Sequence, residues 1–152
     1  MPISSPSAIA AVILMTAVLS ATAFGRDRSD FNGTWTLVPA KSKYEGQPVV
    51  QTGTVKISED RAVTVVTRSF VYEGATETFF YSDSAGSQYG GTAHDGKDLK
   101  SKIKWDGDVL KVTTTRSGEV TLESYSLAAD GSMTVNVDRP EHKSITLVFL
   151  RK

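Results

Sequence analysis

The chain has 152 residues, enough for a single domain, and 39% of them are hydrophobic, which is enough to build a core. Its 17 Lys and Arg residues balance 17 Asp and Glu residues, so we expect no broad electrostatic binding to nucleic acid or to an anionic membrane. Cysteine is absent, which excludes disulfides, thiolate metal sites and catalytic thiols.

The N-terminal segment has the pattern of a signal peptide. Residues 1–25 carry no charged side chain, and the apolar run at 8–19 is about as long as a signal-peptide core but short for a bilayer span. Ala21 and Ala23 form an A-x-A cleavage pattern. We therefore predict a signal peptide over residues 1–23, export to the periplasm or the extracellular space, and no stable membrane insertion after cleavage. An uncleaved anchor helix is the alternative.

A short flexible leader is expected over residues 24–30, and a β-rich domain over residues 31–152. This domain repeats one pattern, in which a run of β-branched and aromatic residues ends at a turn. No stretch has apolar residues at helical spacing. The ten predicted strands cover residues 31–38, 49–58, 62–72, 76–82, 88–94, 99–105, 109–116, 120–127, 133–138 and 144–152.

The turns between these runs predict how the strands are arranged. Asp-Gly pairs at 95–96, 106–107 and 130–131 tolerate the positive φ of tight hairpins, and the pairs at 73–74 and 117–118 suit looser turns. Such short connections make neighbouring strands antiparallel. A long meander exposes two edges unless it closes. We therefore predict an all-β, up-and-down antiparallel barrel, with an open sandwich as the alternative.

The last predicted strand is apolar on both faces. Ile145, Leu147 and Phe149 alternate with Val148 and Leu150. This pattern predicts that something covers the outside of the strand, either a partner chain or crowding where the barrel closes. A homo-oligomer is therefore left open.

The first predicted strand carries the motif Phe31-Asn-Gly-Thr-Trp35. Glycine in a strand permits close backbone approach, and Trp35 is large enough to plug one end of a barrel. With Gly-x-Trp at this place, the chain resembles the calycins, the lipocalin and fatty-acid-binding-protein group, in which a basic residue of the last strand packs across the Trp. The resemblance implies barrel closure by Gly33, Trp35 and Arg151. The chain is also similar to small secreted bacterial lipocalin-like proteins of unassigned function.

Two features depart from the fatty-acid-binding proteins. Only residues 40–48 separate the first two strands, too few for the two-helix lid of that group. The Arg-x-Tyr pair with which the last strand of those proteins holds a carboxylate has no counterpart in residues 144–152. The resemblance thus supports the fold better than it supports fatty-acid binding.

Candidate ligand contacts come from Arg68 and from the aromatic residues of the middle strands. An inward Arg68 would hold an anionic head group through paired N–H donors, whereas an outward one would be solvated. The aromatic side chains would line an apolar pocket or fill a solid core. The candidate ligand-binding residues are Arg68, Phe70, Tyr72, Phe79, Tyr81, Trp105 and Tyr125.

Nothing in the sequence predicts an enzyme. There is no G-x-S-x-G, P-loop or H-E-x-x-H motif, so no catalytic residue is proposed. His94 and His142 lie beside turns without a partner at ligand spacing, so neither a metal nor another cofactor is predicted. Two hypotheses follow. The first is a barrel that binds a small apolar or amphipathic molecule non-covalently. The second is a ligand-free barrel that acts as a protein-interaction or structural module in the cell envelope.

Overall fold

The structure is a computed structural model that describes residues 26–60, 63–82, 89–92 and 98–152. The predicted signal peptide, His94 and the Asp-Gly turn at 95–96 lie outside the described residues. Within them, ten strands form one antiparallel meander that closes into a barrel. The strands are β1 (Gly33–Leu37), β2 (Thr52–Asp60), β3 (Val63–Tyr72), β4 (Ala75–Ser82), β5 (Tyr89–Thr92), β6 (Asp98–Asp106), β7 (Val109–Arg116), β8 (Glu119–Leu127), β9 (Met133–Asp138) and β10 (Ile145–Arg151).

Pairing of the first and last strands closes the barrel. Trp35 of β1 lies opposite Arg151 of β10, and Leu37 lies opposite Phe149. The other side of β1 pairs with β2, where Trp35 is opposite Val55. Closure leaves neither terminal strand with an unpaired edge. The predicted closed barrel is therefore confirmed, and the open sandwich is excluded.

The shortest turns differ in detail from the predicted ones. Two-residue turns connect β3 to β4 at 73–74, β6 to β7 at 107–108, and β7 to β8 at 117–118. Ser117 and Gly118 have φ angles of 49° and 82°, which is the left-handed pair that suits the twist of a hairpin. The pairs at 73–74 and 117–118, predicted to be looser, are thus tight.

The predicted first strand begins too early. Phe31 ends a 3-10 helix, Arg28–Phe31, and β1 starts only at Gly33. The side chain of Asp27 caps this helix by accepting a 3.0 Å hydrogen bond from the Ser29 backbone N–H. The end of the predicted flexible leader therefore has regular structure. A second 3-10 helix, Pro39–Lys41, lies between β1 and β2.

Alternation along the strands places the core inside the barrel. In β2 the buried residues Gly53, Val55 and Ile57 alternate with exposed ones, and in β9 Met133, Val135 and Val137 are buried. A strand that is half-buried in this way directs every second side chain to the core.

No helix in the described part of the chain is long and apolar enough to cross a membrane.

The outer face of β10 is only partly covered. The connection between β1 and β2 continues the backbone pairing with β10, since Lys43 N–H donates to Thr146 O at 2.7 Å. On the outward face Val148 is half-buried, but Leu150 remains 43% exposed. The predicted cover over this face is therefore not supplied by the described chain at Leu150, and the homo-oligomer stays a prediction.

Candidate functional site

The two ends of the barrel differ in chemistry. We call the end that carries the turns at 73–74 and 117–118 the mouth end, because the charged cavity described below lies there. We call the opposite end the Trp35 end. The residues that precede β1 and the last residue of β10 both lie at the Trp35 end.

Packing around Trp35 seals one end. Trp35 is fully buried, and its indole N–H donates to the Phe31 backbone oxygen at 2.8 Å. The Arg151 guanidinium lies 4.4 Å from the centre of the Trp35 ring. Arg151 also donates to the backbone oxygens of Asp30 and Asn32. The packing of Arg151 across Trp35 that the calycin resemblance implies is present.

Gly33 is needed for this arrangement. Its φ is 130°, a backbone conformation that residues with side chains rarely adopt. A Cβ atom at this position would lie 2.9 Å from Nη1 of Arg151. Because Arg151 is fixed by Trp35 and by two backbone oxygens, it has little freedom to move aside.

Trp105 also belongs to the Trp35 end. Its ring packs edge to face on Phe31 with 5.1 Å between centroids, and its indole N–H donates to Thr64 Oγ1 at 2.8 Å. The Arg28 guanidinium lies 5.1 Å from the Trp105 ring. The structure therefore does not bring Trp105, a predicted ligand contact, to the mouth-end cavity.

Three charged side chains meet inside the barrel, and we call Arg68, Glu77 and Glu123 the Arg68 cluster. Nη2 of Arg68 lies 2.7 Å from Oε1 of Glu77, and Nη1 donates to Oε1 of Glu123. All three residues are buried, and Arg68 is only 3% exposed. The alternative in which the Arg68 side chain points outward into solvent is therefore wrong. Its terminal nitrogens are already occupied by carboxylates of the same chain.

Two aromatic rings contact the Arg68 guanidinium. Its Cζ lies 4.2 Å from the Phe70 ring centre and 3.8 Å from the Phe79 ring centre. Guanidinium groups stack well on aromatic faces, so these contacts position the ion pair as well as bury it. Burial disfavours the charged form of Arg68, but Tyr81, Tyr125 and Glu77 favour it, and the net effect raises its pKa. Nε of Arg68 is buried without a hydrogen-bond acceptor.

Two tyrosines extend the Arg68 cluster into the core. The Tyr125 hydroxyl donates to Oε2 of Glu123 at 2.7 Å and lies 3.4 Å from the Tyr81 hydroxyl. Both rings are fully buried, and burial raises the pKa of Tyr81 and raises that of Tyr125 well above its ordinary value. Both hydroxyls therefore stay neutral near pH 7. The two rings act as core and as hydrogen-bonding support for Glu123.

A cavity of about 50 Å³ opens above the Arg68 cluster at the mouth end. A water molecule takes up about 30 Å³ of liquid volume, so this space holds one or two waters or a small polar group. Of the predicted ligand contacts, only Arg68 and Phe79 line it. The lining residues are Arg68, Glu77, Phe79, Thr114, Arg116, Glu119, Thr121, Glu123 and Arg139.

A wider cleft lies at the same end of the barrel. It has a volume of about 590 Å³ between the β1–β2 connection and the turn at 73–74. Pro48, Val49 and Tyr72 give it an apolar wall, and Val49 is 52% exposed. Burial raises the pKa of Tyr72, and Arg68, Glu77 and Arg139 are close enough to act on it electrostatically. Tyr72 thus lines the cleft and lies near charged residues that line the cavity.

The sequence missed the charged lining of the cavity. Glu77 lies on the same face of β4 as Phe79 and Tyr81, and Glu123 lies on the same face of β8 as Tyr125. A charged residue in phase with inward aromatic residues was the available signal. Both carboxylates hydrogen-bond to Arg68, so they do not form a free acid–base pair. Within the described ranges no group of three His, Asp or Glu residues could hold a metal ion.

Comparison with known proteins reveals the fold but no close relative. No protein-family model and no curated protein matches the chain. A REP1-NXSQ fatty acid transporter matches with a TM-score of 0.61 and 21% identity, over 82% of this chain and 97% of that one. A Schistosoma mansoni fatty acid binding protein in complex with arachidonic acid matches with a TM-score of 0.62 and 15% identity, over 82% and 98%.

A third solved structure lies outside the fatty-acid-binding proteins by name. It is a secretary abundant heat soluble protein from Ramazzottius varieornatus, with a TM-score of 0.60 and 13% identity, covering 81% of this chain and 96% of that one. All three similar structures are calycin-type barrels that share the antiparallel meander described above. The chain therefore has the calycin-type β-barrel fold.

Proposed function

We propose that the chain binds a small amphipathic molecule non-covalently at the mouth end. The observation that supports this is the cavity of about 50 Å³, which is lined by three arginine and three glutamate side chains at one end of an otherwise apolar barrel interior. Charged groups that line a cavity can hydrogen-bond to a polar group that enters it. The polar group of the ligand would lie among these side chains.

The apolar part of the ligand would lie in the cleft at the same end of the barrel. Pro48, Val49 and Tyr72 would cover it, and each Å² of apolar surface removed from water contributes roughly 25 cal/mol. The cavity itself is too small for a whole ligand, because pockets for drug-sized molecules measure about 300–1,000 Å³. The cleft of about 590 Å³ falls within that range. The structural similarity to a fatty acid transporter and a fatty acid binding protein supports binding of a small hydrophobic ligand.

A fluorescence titration tests this proposal. The probe is 6-propionyl-2-dimethylaminonaphthalene, an uncharged naphthalene ketone whose emission shifts to the blue in an apolar site. We expect saturable binding to the wild type and its loss in Thr121→Trp, which fills the cavity. Thr113→Trp, on the outer face of the neighbouring strand, is the matched control and should bind normally. Equal binding by both variants would move the site away from the cavity.

The second candidate function is a ligand-free barrel that works through its outer surface. The small interior cavity and the exposed Leu150 on β10 favour it. Light scattering of the purified chain distinguishes the two, since this candidate predicts a dimer that Leu150→Lys separates into monomers. Tyr44→Phe, which removes a half-buried hydroxyl that donates to the Val50 backbone oxygen, should leave that dimer intact.

We also propose that the chain is exported and cleaved after Ala23. The support is the uncharged segment 1–25 with its apolar run and A-x-A pattern. The mass of the protein recovered from the producing cell tests this, because cleavage leaves a chain that starts at Phe24. A mass that includes residues 1–23 would contradict it.

A further inference from the structure

We propose that the outer face of β6 docks on anionic phospholipid membranes. Lys100, Lys102 and Lys104 lie on this face, and we call them the basic stripe. All three are exposed, whereas Ser101 and Ile103 between them are buried. None of the three lysines lines the mouth-end cavity, so this docking surface does not depend on the proposed function.

The basic stripe concentrates positive charge on one side of a chain whose 17 Lys and Arg residues equal its Asp and Glu residues in number. Alternate residues of a strand project from the same face about 6.8 Å apart, so the stripe spans about 14 Å. Lys111 of β7 lies opposite Lys104, and Asp106 forms an ion pair with Lys111. Asp106 therefore offsets one of these four positive charges, and the remaining excess attracts an anionic surface although the chain as a whole is neutral.

Hydroxyl groups accompany the lysines on the neighbouring strand. Thr115 of β7 lies opposite Lys100, and Thr113 lies opposite Lys102. These four residues line a surface groove of about 280 Å³. Ammonium and hydroxyl groups both donate hydrogen bonds, and phosphate oxygens accept them. The groove therefore offers donors to the phosphate of a lipid head group.

Exposed apolar side chains lie on both sides of the basic stripe. Val120 of β8 is opposite Thr115 and is 42% exposed. Phe80 of β4 is 47% exposed, and the strand register places it in the same row across the sheet as Gly90 and Lys100. Surfaces that lie in a membrane interface combine lysines with apolar side chains, because the ammonium groups reach the head groups while the apolar groups enter the acyl boundary.

The use of lysine favours a membrane over a protein or a nucleic acid. Lysine is depleted in protein–protein interfaces relative to the rest of the surface. Nucleic-acid sites favour arginine, which binds phosphate through a fork, and aromatic rings on which bases stack. A lysine ammonium is a point charge without a fixed fork, so it suits a fluid array of head groups that attracts it by charge alone.

Flotation of the purified protein with lipid vesicles tests the proposal. One set of vesicles is phosphatidylcholine alone, and the other contains phosphatidylcholine and phosphatidylglycerol in equal amounts. We expect the wild type to bind the phosphatidylglycerol vesicles at least about tenfold more tightly, and to lose this preference near 1 M salt, where the Debye length is about 3 Å. Equal affinity for the two sets would overturn the proposal. Binding to a single-stranded DNA oligonucleotide without this lipid preference would also overturn it and assign the stripe to nucleic acid.

A triple variant in which glutamine replaces all three lysines of the basic stripe locates the binding surface. Each lysine close to an anionic membrane strengthens binding about fivefold, so the variant should bind phosphatidylglycerol vesicles on the order of 100-fold more weakly. The matched control removes the same charge from three exposed lysines elsewhere, as Lys41→Gln, Lys43→Gln and Lys56→Gln, and should bind nearly as the wild type does. Equal losses in the two triple variants would overturn the docking surface on β6. If the stripe variant does not fold, Lys102→Gln alone should lose about fivefold, and an unchanged affinity would overturn the proposal.

Discussion

The two ends of this barrel use arginine in opposite ways. At the Trp35 end, Arg151 lies on the outside of a sealed apolar plug, stacked on Trp35 and bonded to two backbone oxygens. Toward the mouth end, Arg68 is buried between two aromatic rings and two carboxylates, beneath a cavity. Both guanidinium groups stack on aromatic faces, but Arg68 lines a cavity, whereas Arg151 covers a closely packed end of the barrel.

Because of this difference, we expect the Trp35 end to determine stability alone and the mouth end to affect both stability and binding. The Trp35 end has large apolar side chains in close contact, and such packing stabilises a barrel without leaving space for a ligand. The Arg68 cluster is a buried ion pair, which usually contributes little net stability but is costly to break. Substitutions should therefore change stability at both ends, whereas substitutions in the cavity lining at the mouth end should also change binding.

The largest loss is expected from Arg68→Met. This change leaves Glu77 and Glu123 buried without their cation, which costs about 3–5 kcal/mol of unfolding free energy. Urea unfolding followed by tryptophan fluorescence measures it. Lys56→Met, on the exposed face of β2, is the matched control and should change stability by less than about 0.5 kcal/mol. Similar values for the two variants would contradict the ion pair described here.

At the Trp35 end, Gly33→Ala should lower the free energy of unfolding by about 2–3 kcal/mol. The new Cβ combines an unfavourable φ with contact at 2.9 Å to Arg151. Gly74→Ala, which has a positive φ but open space around its Cβ, should cost only about 1 kcal/mol. Thermal unfolding of both variants compares them. If Gly74→Ala lowered stability as much as Gly33→Ala, the contact between the new Cβ at position 33 and Arg151 would not explain the loss.

Arg151→Ala should have a smaller effect, a loss of about 1–2 kcal/mol. It removes the stacking on Trp35 and the hydrogen bonds to the Asp30 and Asn32 backbone oxygens. Arg151→Lys should retain part of that stability because it keeps the positive charge above the ring. An unchanged melting temperature in Arg151→Ala would argue against the sealed Trp35 end.

The smallest expected effect is a pH dependence from Tyr125. Its pKa is raised in the folded chain, so the unfolded chain loses this proton first as the pH rises. The stability that Tyr125 contributes is therefore complete below about pH 10 and is lost as the pH rises above it. Between about pH 9 and pH 11 the free energy of unfolding of the wild type should fall by about 1 kcal/mol more than that of Tyr125→Phe. Urea unfolding at the two pH values measures this difference. If the free energy of unfolding falls equally in the wild type and in Tyr125→Phe, the hydroxyl is not buried.

Most of the strands could be predicted because their side chains alternate and short turns separate them. The prediction failed where alternation carries no information. Phe31 continues the apolar pattern of the first strand, yet it ends a 3-10 helix and is buried there. Alternation also fails to predict the position of Trp105, because it indicates which face of a strand a residue occupies but not its height along the barrel axis.

The Arg68 cluster could be predicted only in part. The inward face of Arg68 follows from its phase with Val66 and Phe70, and the same argument applied to Glu77 and Phe79 would have placed that carboxylate inside. Glu123 is different, because it lies 55 residues from Arg68 in the chain. Only the closed topology and register of the barrel bring the two together.

Native mass spectrometry of the protein purified without detergent can show whether the mouth end binds a small molecule. It should compare the wild type with Thr121→Trp, whose new ring fills the mouth-end cavity while leaving the Trp35 end untouched. We expect an adduct on the order of a few hundred daltons on the wild type, lost on denaturation and absent from the variant. A bare mass for the wild type, or the same adduct on both proteins, would contradict it.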